Sequence, residues 1–278
     1  MTFAPRFDLD LEAYFRRIEY VGGRGPTVAA LMDLHLAHAT HIPFENIDVM
    51  LQRPIRIDLG SIESKLVHNR RGGYCYEQNL LFAAVLEQLG FDVTLLAARV
   101  RFGAQRILPR THVALAVDCE GDRWLADLGF GSCGLLVPIP MLAGEYQQFA
   151  WTYRLVREGD LWVLRAPVGG VWQDLYVFTL EPQLAVDFEP PNHYVSTHPD
   201  SRFVQTLTVQ RVAADSRRVL RNTLLTTTTP AGDTCRTLRD GVELLTVLSE
   251  EFGLSFPPGT HLLPASRFES TAAPFEAR

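Results

Sequence analysis

Apolar positions recur every three or four residues through the first part of the chain and every second residue through its middle. Leu11, Tyr14, Phe15 and Ile18 share one helical face, with Asp8 or Asp10 placed to cap it. Gly22-Gly23-Arg24-Gly25-Pro26 breaks that segment, and Thr27 can cap a second helix carrying Leu31, Leu34 and His38. A Gly72-Gly73 pair precedes a third helix with Leu81, Val85, Leu86 and Leu89, which Gly90 stops. From Phe91 the period becomes two: Val93, Leu95 and Ala97 alternate, then Val113, Leu115 and Val117, then Trp124 and Ala126. Trp151, Tyr153 and Leu155, the turn Glu158-Gly159-Asp160, and Leu161 and Val163 read as a hairpin. Stretches 171–180, 203–212 and 217–228 add further strand, and Asp240 caps a late helix over roughly 240–252. The Pro-spotted tail after Phe256 reads as irregular. Helices, then sheet, then a mixed end predict an α+β fold rather than alternating βαβ units.

Composition narrows the class without identifying it. The 278 residues are 47% hydrophobic and 21% charged, which excludes a disordered or low-complexity chain. Against 32 acidic residues stand 26 basic ones, a net of −6, so a nucleic acid is disfavoured as main partner. Local basic patches could still hold a small phosphorylated molecule. Met1 to Asp8 lacks the layout of a secretory signal, and no apolar run approaches the ~18 residues of a spanning helix. Cys75, Cys119, Cys133 and Cys235 form no CxxC pair, which makes a reducing cytoplasm the expected compartment.

One stretch concentrates chemical potential: Arg71-Gly72-Gly73-Tyr74-Cys75-Tyr76-Glu77-Gln78-Asn79. The glycines permit a tight turn, and Cys75 then falls at or near the N-terminus of the third helix. Unpaired N–H groups and the positive dipole end favour a thiolate there and offer donors to an oxyanion. The plain alternative is a small buried filler, as most free cysteines are.

A thiolate nucleophile needs a histidine, and that histidine needs a third group to fix its tautomer. His35, His38 and His41, three residues apart, invite a metal reading. No carboxylate or cysteine nearby completes a ligand set, so a helix face or a core hydrogen bond explains them better. His112 opens the strand Thr111–Val117, which a polar turn joins to a return strand ending at Asp127. With the turn centred on 118–121, His112 lies directly opposite Asp127; with the turn on 119–122, the two are same-face diagonal neighbours. Only the register between these puts them on opposite faces. Asp127 leads into Leu128-Gly129-Phe130-Gly131-Ser132-Cys133-Gly134, a glycine-rich loop able to approach a ligand closely.

These residues together resemble the arylamine N-acetyltransferase family. The likeness rests on the Cys75 stretch, His112 and Asp127-Leu128-Gly129-Phe130-Gly131. Ile42-Pro43-Phe44-Glu45-Asn46 is similar to that family's upstream motif, and Asn192-His193-Tyr194-Val195-Ser196-Thr197-His198-Pro199 to its late one. The resemblance implies a helical domain over 1–90, a β-barrel over 91–190 and an α/β lid over 191–278, around a cysteine-protease-like Cys-His-Asp core. It implies a Cys75–His112–Asp127 triad, acetyl-coenzyme A as co-substrate, no metal, and an arylamine or hydrazine acceptor. Phe130, with Gly131 beside it, would line the acceptor pocket; Tyr194 and Thr197 would approach the coenzyme. Glu45 and Arg71 would form a structural ion pair near the site. Leu128 stands where the family usually has valine, and Ser132-Cys133 replaces a more glycine-rich continuation.

The chemistry so implied is ping-pong transfer through an acetyl-Cys75 intermediate. Coenzyme phosphates call for local cations, for which Arg70, Arg99, Arg101, Arg106 and Arg110 are candidates, although an arginine run is usually a solvated face. Two rivals share the features: a Cys-His-Asp hydrolase of the papain or transglutaminase type, and a non-catalytic aromatic- or nucleotide-binding protein.

Overall fold

A computed structural model describes residues 7–269; Met1–Arg6, on which most of the reading of the N-terminus rests, and the last nine residues of the tail lie outside them. Helices α1 (Leu11–Arg17), α2 (Val28–His41), α3 (Ile47–Met50), α4 (Leu59–Glu63) and α5 (Cys75–Gln88) fill the first part. The caps are those the pattern predicts. Asp10 accepts from the Ala13 amide, Thr27 from Ala30, and Gly90 follows α5 with a φ of 90°. Two features interrupt the helical reading: a two-residue strand β1 (Phe44–Glu45) and a π-helical turn over Ser64–His68.

The middle is a sheet of eight antiparallel strands that curls into a nearly closed barrel. Its strands are β2 (Asp92–Val100), β3 (His112–Cys119), β4 (Asp122–Ala126), β5 (Ile139–Pro140), β6 (Gly144–Gln148), β7 (Trp151–Glu158), β8 (Leu161–Val168) and β9 (Val171–Gln183), ordered 5-4-3-2-9-8-7-6. Gln148 at the end of β6 reaches across the seam. It accepts from the Leu136 and Val137 amides and donates to the Val137 carbonyl, satisfying backbone just before β5.

Beyond the barrel come a 3₁₀ turn (Ala185–Phe188), α6 (Glu189–Thr197) and α7 (Arg202–Gln205). A second sheet follows, β10 (Thr208–Val212), β11 (Arg217–Arg221), β12 (Leu224–Thr229) and β13 (Gly232–Thr237), then α8 (Gly241–Phe252), capped by Asp240 as expected, and α9 (Ser266–Glu269). Two expectations need correction. Residues 202–205 are a helical turn because the Ser201 hydroxyl caps it, so strand begins only at Thr208. The tail is not wholly irregular, since α9 lies in it. The strand β1 pairs with β10, stitching the upstream segment to this second sheet.

Three apolar cores follow. One packs α1, α2 and α5 against the inner residues Val113, Leu115 and Val117 of β3. A second fills the barrel around Tyr153, Leu164 and Tyr176. The third sets Leu244, Leu248 and Phe252 of α8 against Val209 and Leu220, with Ile47 of α3 included. Among the described residues no helix is long and apolar enough to cross a membrane.

Candidate active site

Cys75 is the first residue of α5, so its side chain sits where the leading amides lack intrahelical partners. The approach to it is crowded by backbone. A Cβ on Gly72 would strike the Pro43 carbonyl, and one on Gly73 would lie 2.8 Å from the Glu77 Cβ. Glu77, three residues into the turn, accepts from the Tyr74 amide at 3.1 Å, one half of a capping box. The Cys75 sulfur donates to the Thr111 carbonyl at 3.7 Å, which brings it beside His112.

The hairpin β3–β4 supplies the partner pair. Asp118 pairs with Arg123 and Leu115 with Ala126, and Glu120-Gly121 form the turn with φ values of 53° and 88°. This is the turn on 119–122, so His112 and Asp127 are diagonal rather than directly opposite. Distance is unaffected: His112 Nε2 lies 2.7 Å from Asp127 Oδ2, with both side chains almost wholly buried. The Cys75 sulfur lies close enough to the imidazole to favour its charged form.

Charge follows from this geometry. Burial disfavours a cationic His112, but the Asp127 carboxylate and then Cys75 outweigh it, and the His112 pKa is pushed up to about 10. Burial likewise opposes an ionised Asp127. Yet His112, the Asn79 amide and the Gly129 N–H together hold its carboxyl below the usual range. The arrangement can therefore store a proton on His112 beside the Cys75 sulfur.

Asn79 is the support that sequence reading passed over. Four residues after Cys75, it lies on the same helix face, which was the available signal. Its amide donates to the Val113 carbonyl at 2.7 Å and to Asp127 Oδ1 at 2.9 Å, and its oxygen accepts from the Leu128 amide at 2.9 Å. The helix that carries Cys75 and the Asp127 carboxylate are thus fixed by one side chain. Gly129 completes the fit, since its amide donates to Asp127 Oδ1 at 2.8 Å and its Cα lies hard against Cys75.

The remaining candidates divide. Phe130 stands edge-on to His112 at 5.5 Å and against Tyr176 at 5.2 Å, forming an aromatic wall with Phe102. Gly131, with a φ of 83°, lies under Gln210 of β10, which accepts from the Ser132 amide. Tyr194 stacks on His198, and Thr197 donates back to the His193 carbonyl, so both are engaged within and just after their own helix rather than with the triad residues. That helix nevertheless touches the nucleophile segment, because the Tyr74 hydroxyl donates to Asn192.

Of the arginines, Arg99 donates to the Leu108 carbonyl and Arg101 pairs with Glu158 and Asp174 at 2.9 Å. Arg106 and Arg110 make longer contacts with Asp200 and Glu181, and Arg70 is exposed. The ion pair of Glu45 with Arg71 is present at 2.7 Å and buried. It belongs to a larger network in which Arg71 also meets Asp48, and Lys65 joins Asp48 at 2.9 Å and Glu77 at 2.7 Å. Burial tends to lower the Lys65 pKa, but Glu77, Glu45 and Asp48 raise it overall.

His35 and His38 are core hydrogen-bonding groups. His38 lies between the Tyr14 hydroxyl at 2.8 Å and Gln78 Oε1 at 2.7 Å; Gln78 donates in turn to the Pro43 and Gly73 carbonyls. His35 contacts the Leu136 carbonyl and the Asp127 amide. Burial holds both rings neutral, with pKa values lowered to about 4 for His35 and about 3 for His38.

Residues 27–259 match the family model described as N-acetyltransferase. The arylamine N-acetyltransferase of Escherichia coli K12 is 37% identical over 270 residues, covering 96% of each chain. The chain belongs to the arylamine N-acetyltransferase family. As a member it is an acyltransferase. Among solved members of that family, the Nocardia farcinica structure superimposes with a TM-score of 0.88 at 42% identity, covering 95% of this chain and 96% of that one. The Mycobacterium marinum structure, described as a complex with CoA, gives a TM-score of 0.85 at 36% identity, covering 94% and 97%.

Proposed function

We propose that the chain moves an acetyl group from acetyl-coenzyme A to the nitrogen of an arylamine, arylhydrazine or related acceptor, through an acetyl-Cys75 intermediate. One observation carries the reading: His112, bonded to a carboxylate at 2.7 Å, lies beside a cysteine at a helix N-terminus. The CoA complex of the Mycobacterium marinum relative supports the donor, and the relatives' shared name supports the acceptor.

In the reactive pair the proton of Cys75 already rests on His112, which Asp127 braces and whose raised pKa retains it. The sulfur attacks the thioester carbonyl, the carbon–sulfur bond to coenzyme A breaks, and the imidazolium returns the proton to the departing thiolate. The exchange is sulfur for sulfur, hence nearly isoenergetic. The acceptor amine then attacks the acetyl-cysteine carbonyl, the carbon–sulfur bond to Cys75 breaks, and the proton lost by the amine passes to His112, which restores the starting pair. Aromatic amines are largely neutral at pH 7, which suits the uncharged aromatic surface of Phe130, Phe102 and Tyr176. We further propose three working parts: residues 1–90 carry the nucleophile, 91–190 carry His112 and Asp127, and 191–278 form a lid that contributes Tyr194 and Thr197 to the coenzyme.

Cys75 is only 4% exposed, which favours transfer over hydrolysis because water reaches the thioester poorly. The test is intact mass after mixing with acetyl-coenzyme A, followed by a chase. An adduct of one acetyl group, absent in Cys75→Ala and discharged by an arylamine but stable in buffer, is the expected outcome. Rapid loss of the adduct in buffer would make the protein a hydrolase, and an adduct persisting in Cys75→Ala would overturn the assignment of the nucleophile.

A further inference from the structure

Asp127 is the first residue past β4, so its amide has left the ladder and needs another acceptor. That acceptor is a side chain 92 residues away. His35 of α2, wholly buried, takes the Asp127 N–H on its Nε2 at 3.2 Å. Its Nδ1 lies 2.9 Å from the Leu136 carbonyl, which can only accept. These two partners fix the tautomer: the proton is on Nδ1 and the lone pair on Nε2. Packing fixes the ring plane as well, because His35 stands edge-on to Phe82 of α5 at 5.5 Å.

We infer that His35 is a positioning residue for the acyl-transfer site, holding the Asp127 backbone and the 130–136 loop in register with the nucleophile helix. The inference rests on the triad reading above and adds a fourth support to it. Three restraints then converge on Asp127 from three elements. Asn79 on α5 and the Gly129 amide bind one carboxylate oxygen, His112 on β3 binds the other, and His35 on α2 binds the main chain. Side-chain bonds alone leave the carboxylate free to swing about its own Cα; a fixed amide removes that freedom. Through Leu136 the same ring anchors the far end of the loop that carries Phe130, so carboxylate and acceptor wall share one post. The role requires a neutral ring, since a protonated Nε2 would point an N–H at an N–H. Burial outweighs the Leu136 carbonyl and the Asp127 carboxylate, which favour the charged form, and keeps the ring neutral; the neighbouring His38 ring is neutral as well.

The test compares His35→Phe, which keeps the ring against Phe82 but loses both hydrogen bonds, with His35→Gln, which can restore an acceptor. Single-turnover acetylation of His35→Phe is expected to slow about tenfold, with Gln recovering part of the loss. The deciding readout is the His112 titration, followed by NMR of ¹³C-labelled histidine. Its raised midpoint should fall by about half a unit or more in His35→Phe, because a misplaced Asp127 favours the imidazolium less. A residue that only stabilises the fold would lower the melting temperature while leaving the His112 midpoint and the single-turnover rate of folded protein unchanged; that result overturns the inference. Cys75→Ala, run alongside, separates the two readings. If it still forms acetyl-enzyme, the triad reading fails; if it is dead while His35→Phe is normal, only the positioning role fails.

Discussion

Gly129→Ala inserts a single methyl group where the segment after β4 meets α5. An ideal Cβ there would sit 2.8 Å from the Cys75 Cβ and 2.7 Å from Asn79 Nδ2, and closer still to the Cys75 Cα. Ordinary contact begins near 3.4 Å, so the shortfall is at least 0.6 Å, and the closest obstacle is main chain that no rotamer change can move. Either α5 retreats from the barrel or residue 129 does, and each path pulls Cys75 from His112 or Asp127 from Asn79. Overpacking of this kind costs about 1–3 kcal/mol of stability. A misplacement approaching 1 Å at a reacting group costs up to about a hundredfold in rate. The expected result is a single-turnover acetylation rate ten- to a hundredfold lower, with a melting temperature reduced by several degrees. Gly23→Ala is the matched control, since a Cβ there meets nothing within 4 Å. Release of coenzyme A in a stopped-flow assay measures the rate, and calorimetry the stability. Wild-type acetylation in Gly129→Ala would refute the claim that this glycine exists for the approach of β4's exit to the nucleophile.

Two other perturbations test the electrostatics. Lys65→Met leaves the buried Glu77 without its cation, while Asp48 keeps Arg71 and Arg53, and should destabilise the fold by about 3–5 kcal/mol; adding Glu77→Gln should recover part of it, as read by a double-mutant cycle from chemical denaturation. The His112–Asp127 pair should leave a two-sided pH signature. A raised His112 pKa contributes stability that is complete below its ordinary value near 6.5 and is lost as pH rises through about 10. A lowered Asp127 pKa contributes stability present above the ordinary carboxylate range and lost as pH falls through its folded value. The stability gap between wild type and His112→Gln should therefore be widest near pH 6 and close toward pH 10; a gap independent of pH would contradict the pairing.

Much of this was legible because local rules had little competition. Asp10, Thr27, Gly90 and Asp240 end their helices where cap chemistry places them, and the polar turn confined the His112–Asp127 hairpin to few registers. Glu120-Gly121 chose between those registers, because both residues adopt the positive φ of a tight two-residue turn. What stayed hidden was long-range. No periodicity relates His35 to Asp127, Gln210 to Ser132, or Asn192 to Tyr74, at separations of 92, 78 and 118 residues. β10 starts later than its pattern predicts because Phe203 and Val204 have the β-propensity of a strand, while the Ser201 hydroxyl bonded to the Phe203 amide turns the chain into α7 first.

Those distant contacts share a purpose that the triad alone does not reveal. Cys75 stands on α5 and its two partners on the β3–β4 hairpin, so the reacting geometry is an interface between two packed bodies rather than a property of either. Apolar packing in the first core brings the bodies together but is tolerant of small slides, since Leu81 or Val113 loses little over a fraction of an ångström. Hydrogen bonds are not so tolerant. Asn79 spans the interface from α5, His35 from α2, and the Gly72-Gly73 segment is held from behind by Gln78 and the buried Glu45–Arg71 pair. Hydrophobic burial thus supplies most of the adhesion, while buried polar groups, each costly to leave unpaired, select the one alignment in which sulfur, imidazole and carboxylate meet.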